Sequence, residues 1–115
     1  MKTFEKCAAQ GDLMLFKVDA LPDGLVKAKP EGGKYILAHS ETGHHHTVMD
    51  RPDVVLHEDP IDPLRAFLDV RASDIKIEHE RSFDTHETIN PKSPGIYEIR
   101  RQREYTPEGY RRAAD

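Results

Sequence analysis

Cysteine is almost absent from this 115-residue chain: Cys7 stands alone. An intramolecular disulfide is therefore excluded, as is any zinc site built on paired cysteines. Cys7 reads as an ordinary thiol. Long apolar runs are missing too. No stretch approaches the ~20 residues that cross a bilayer as a helix, and the opening MKTFEKCAAQGD has no apolar leader core. A soluble protein, not exported by that route and not inserted in a membrane, is the expectation. The signatures of several enzyme classes are lacking as well: no phosphate loop, no HExxH and no nucleophile elbow occurs. Internal repeats and low-complexity tracts are absent.

What is present is charge and punctuation. Charged residues make up 33% and hydrophobic ones 37%, so one domain with a modest core is expected. Eight prolines and seven glycines interrupt the chain often, which suits short strands and turns better than long helices. Net charge is −4, unevenly spread. From Glu98 to Asp115 five arginines meet four acids, which leaves residues 1–97 with twelve cations against seventeen acids. A basic tail on an acidic body points to an acidic partner surface, a second copy included. Nucleic acid fits poorly, because the body repels phosphate and no aromatic stacking platform accompanies the arginines.

Alternation of apolar and polar residues predicts strands at 12–18, 35–40, 44–49, 53–57, 64–72 and 74–80, then two more within 86–105 around Pro94-Gly95. Thr106-Pro107-Glu108 offers an N-cap, a proline at the first helical position and an acid in the first turn, so a short terminal helix is predicted there. Seven or eight short strands closed by one helix give an all-β fold: an antiparallel sandwich, a jelly roll or a small barrel.

Three clusters carry candidate chemistry. In AHSETGHHHTV (38–48), Glu41-Thr42-Gly43 fits a three-residue hairpin loop. That register sets Ser40 opposite His44, His39 opposite His45 and Ala38 opposite His46. Ile36, Ala38, His44, His46 and Val48 then share one face. Two imidazoles two residues apart, with Asp50 at the same parity, are how a strand presents ligands to one divalent transition metal. The pattern resembles the first half of the cupin metal motif. It departs from it in having Asp50 where cupins have Glu, and Tyr97 and Glu98 where the second motif has its histidine. His79 and His86, with Glu87 behind them, are the candidates for a completing ligand; a metal-free, hydrogen-bonded cluster is the alternative. In HERSFDTHE (79–87), His79, Glu80, Asp84, His86 and Glu87 supply acid–base groups without a nucleophile signature. They read as a polar loop anchored by Phe83. Finally, Tyr97, Arg100, Arg101, Arg103, Tyr105, Arg111 and Arg112 bring together the residue types that interfaces favour. The competing reading is an edge strand protected by its charges.

Three strings, AHSETGHHHTV, HERSFDTHETI and above all IYEIRRQREYTPEGYRRAAD, resemble small proteins of tailed-phage and prophage gene clusters. The AAQGD start (Ala8–Asp12) and the RRQREYTP close belong to the same resemblance, which covers nearly the whole chain. It implies a non-enzymatic virion protein, present in the host cytoplasm during assembly. Its partners would be the phage coat protein or copies of itself, its role capsid decoration or cement, and it would need no cofactor. The alternatives are a cupin-like metal-binding domain using the His44/His46 face, and a phage factor that binds a host protein.

Overall fold

The computed structural model describes residues 2–10, 13–38, 45–79, 88–101, 103–106 and 109–112. Among these residues thirteen short strands are formed. In chain order β1 is Lys2–Phe4, β2 Cys7–Gln10, β3 Leu13–Val18 and β4 Val26–Lys27. β5 is Lys34–Ala38, β6 His46–Met49, β7 Val54–Glu58, β8 Arg65–Val70 and β9 Ile77–His79. β10 is Ile89–Pro91, β11 Gly95–Arg101, β12 Arg103–Thr106 and β13 Gly109–Arg112.

One sheet of five strands runs β1-β10-β9-β6-β5, and one of six runs β2-β3-β11-β8-β7-β4. Every pairing is antiparallel except β1 with β10. Consecutive strands often change sheet, as β1 to β2, β4 to β5 and β6 to β7 do. Among the described residues each sheet keeps two unpaired edges, β1 and β5 in one and β2 and β4 in the other. No closed barrel is formed among the described residues.

The two sheets share one apolar core. On β3, Leu13 and Leu15 point inward and Met14 and Phe16 do not; on β11, Tyr97 and Ile99 are buried between half-exposed Ile96 and Glu98. Leu56, Leu68 and Val70 extend this face, and Phe4, Val48, Ile77 and Ile89 meet it from the other sheet. Phe4 packs edge-on against Tyr97, ring centroids 5.5 Å apart, the arrangement that aromatic quadrupoles favour. Phe67 is buried on the opposite side of β8, under the guanidinium of Arg65 at 4.8 Å from the ring centroid. Between β4 and β5, Gly32 and Gly33 both take positive φ, while Glu31 and Lys34 exchange backbone hydrogen bonds. That is the primed two-residue turn, which glycine adopts without strain.

Two expectations are corrected. Residues 109–112 are a strand and not a helix: β13 pairs antiparallel with β12, Thr106 opposite Gly109. Thr-Pro-Glu-Gly carries the helix-start signals and equally those of a β-turn, with proline second and glycine fourth. Pairing of 109–112 with the preceding strand decides against a helix there. The register of β5 on β6 also differs. Ala38 does lie opposite His46, but an irregularity between Ile36 and Ala38 sets Ile36 opposite Thr47 and Tyr35 opposite Val48. A bulge of one extra residue reverses the parity of everything before it, so Tyr35 and not Ile36 joins the face of Val48.

Candidate functional site

The buried polar link between the sheets starts at His46. Its side chain is fully buried on β6, at 0% exposure. Its Nδ1 lies 2.8 Å from Oε1 of Gln10 on β2, in the other sheet. The Gln10 amide nitrogen donates to the carbonyl of Ile77 on β9 at 3.0 Å. That second bond fixes the amide orientation, and an amide oxygen only accepts. Nδ1 of His46 therefore donates the bond to Gln10. The relay joins both sheets through one glutamine.

Of the histidines expected together, two can be placed. Positions 46 and 79 are direct cross-strand partners of β6 and β9. His44 and His86 lie outside the described residues, as do His39, Ser40 and Glu87. Asp50 is exposed, and its carboxylate engages Tyr35. Burial first and Asp50 second push the Tyr35 phenol above its ordinary range. Among the described residues, no three His, Cys, Asp or Glu side chains are grouped to hold a metal ion. Gln10 escaped sequence reading. Its parity with Ala8 marks it as inward-facing, but nothing local names a partner 36 residues away.

The interface set divides. Tyr97, expected on the surface, is fully buried at 0% exposure, and its hydroxyl donates to the Ser93 carbonyl at 2.6 Å. Burial, the larger cause, raises its phenol pKa, while the Ser93 bonds oppose it. Tyr97 is a core residue. Arg100 is exposed beside Glu98, 3.2 Å away, and Arg101 is half-buried, its N–H donating to the Leu64 carbonyl at 2.9 Å. Arg103, Tyr105, Arg111 and Arg112 all lie on the β12–β13 hairpin, a two-stranded sheet of its own. There Arg103 is opposite Arg112, Glu104 opposite Arg111 and Tyr105 opposite Tyr110.

A cleft of about 490 Å³ opens near the root of that hairpin. Ile36, Leu37, Leu56, Leu64 and Ile99 line it, and Glu58, Asp59, Arg65 and Arg101 bring charge. Arg65 lies 3.7 Å from Asp59 and 3.3 Å from Glu98. The backbone N–H groups of Ile61 and Asp62, with Arg65 behind them, hold the Asp59 carboxyl below its ordinary range. Beside Phe67, burial lowers the His57 pKa.

No curated protein and no solved structure matches the chain. Residues 9–102, most of its length, match the family model described as a domain of unknown function (DUF8820), and the chain belongs to that family.

Proposed function

We propose that this chain is a non-enzymatic structural protein of a tailed-phage particle, a capsid cement or decoration protein whose β-sandwich body carries a partner-binding hairpin. The observation that supports it most is the β12–β13 hairpin, which among the described residues pairs with neither main sheet and concentrates three arginines and two tyrosines. An isolated two-stranded hairpin is marginal in water. Arginines at directly opposed positions weaken it further. Such a hairpin gains most when an acidic, partly apolar surface covers it, as a neighbouring coat subunit would. The resemblance to phage and prophage proteins supplies the context, and the acidic body offers a complementary surface to basic patches nearby. Assembly in the host cytoplasm and residence in the virion follow from that role.

Co-sedimentation of purified protein with expanded capsids tests it. Binding in stoichiometric copies, with shells that withstand a higher temperature, is expected; shells that bind none of it contradict the proposal. Stoichiometric metal in untagged protein, lost in His46→Ala and His79→Ala variants, would replace this reading with a metal-binding one.

A further inference from the structure

The edges that the two sheets keep among the described residues are not alike. A strand edge carries unpaired N–H and C=O groups that template another strand, and proteins blunt it with charge, proline, a bulge or brevity. β1 opens on Lys2, β4 is two residues long and ends on Lys27, and β5 opens on Lys34 and carries the irregularity before Ala38. β2, Cys-Ala-Ala-Gln, lies in regular register on β3 and has no charge, proline or bulge. Its open backbone groups can be named. One step before the Cys7–Phe16 pair, Lys17 N–H donates to the Lys6 carbonyl at 2.8 Å. Hydrogen-bonded pairs alternate along an antiparallel ladder. Ala8 and Gln10 therefore bond to β3, while the backbone groups of Cys7 and Ala9 point away from it. Cys7 and Ala9 are exposed, and Ala8 between them is buried.

A second copy, turned about a two-fold axis through Ala8, meets these groups with its own. Cys7 of one copy then lies opposite Ala9 of the other, and each such pair exchanges both of its N–H···O bonds. Ala8 faces Ala8, so no bulk obstructs the approach, and Lys6 faces Gln10, so no like charges are opposed. A charged foreign strand, by contrast, finds no counter-charge on β2. With one unblunted edge in each copy, the pairing closes at two and does not propagate. We infer that two copies of this chain pair antiparallel through β2, joining their six-stranded sheets into one. This dimer stands apart from the hairpin and does not require the capsid role.

Sedimentation velocity of the full chain, across a concentration series with reductant and without capsids, tests it, with amide hydrogen exchange on the same samples. The unaltered protein should dimerise reversibly, and the Cys7 and Ala9 amides should exchange more slowly as concentration rises. Ala9→Pro removes an N–H that the single copy does not use, and the dimer loses it on both sides of the axis. Affinity should fall by about tenfold to a hundredfold for those lost hydrogen bonds, with the thermal melt of the dilute monomer kept. Ala9→Lys retains the backbone donor but sets charge on the edge, and it should weaken the dimer as well. Tyr105→Ala/Tyr110→Ala on the hairpin should leave the dimer intact. A protein monomeric at every concentration overturns the inference. So does a dimer that withstands both Ala9 variants, one that the tyrosine pair dissolves as readily, or exchange at Cys7 and Ala9 that ignores concentration.

Discussion

The two-sheet body and the β12–β13 hairpin are built from similar alternating sequence and end in different physical situations. In the body every strand but β4 lays an apolar face on a shared core, and even its polar insertion, Gln10 with His46, is satisfied across the sheets. Among the described residues the hairpin strands pair only with each other, and their opposed positions hold arginine against arginine and tyrosine against tyrosine. Alternation alone makes a strand. Which face is covered, and by what, decides whether the strand serves stability or recognition.

Truncations in the core should produce the largest effect. Leu15→Ala leaves a cavity at a fully buried position and should cost about 2–5 kcal/mol in denaturant unfolding. A loss below about 1 kcal/mol would mean that the sheets do not pack as described. The relay comes next. Gln10→Leu strands the His46 N–H and the Ile77 carbonyl in the interior, with an expected loss of about 1–3 kcal/mol. In Gln10→Glu a carboxylate still accepts from Nδ1, yet the donor to Ile77 is gone, so its melting point should fall between the two. Equal melting for Gln10→Leu and the unaltered chain would break the claim that this glutamine joins the sheets.

The smallest effect is a pH dependence. Burial holds the folded His57 pKa below its ordinary value of 6.5, so the unfolded chain takes up the proton first as pH falls. Stability associated with a neutral His57 is full above the unfolded value and is lost as pH drops through it toward the folded value. His57→Gln should therefore lose less melting temperature between pH 7.5 and 5 than the unaltered chain does. Parallel losses would remove His57 as a cause.

Much of this architecture was legible, because period-two burial is a local property. The inward sets of β3 and β11 follow from LMLFKV and GIYEIRR, and the pairing of Ala38 with His46 from the spacing around Gly43. Three things were not legible, each for a physical reason. The irregularity at Leu37 inverts parity without a sequence mark, so Ile36 was assigned to the wrong face. β1, β2 and β4 are too short to show a period, and the strands they pair with, β10, β3 and β7, decide them. Thr-Pro-Glu-Gly carries the sequence signals of both a helix start and a hairpin turn, and pairing with β12 makes 109–112 a strand. At the candidate site, Tyr97 shares parity with Ile99, so its alternation already favoured the core over the surface. The link from Gln10 to His46, by contrast, depends on long-range packing that no local pattern encodes.

The central claim is that the hairpin recognises and the body stabilises. It is tested most directly by Arg103→Glu/Arg111→Glu/Arg112→Glu in co-sedimentation with expanded capsids, with thermal unfolding measured on the same samples. Loss of capsid binding with a melting curve close to that of the unaltered protein is the predicted result, since among the described residues the hairpin strands pair only with each other and not with the two-sheet body. Undiminished binding, or a collapse of the fold together with the binding, would contradict it.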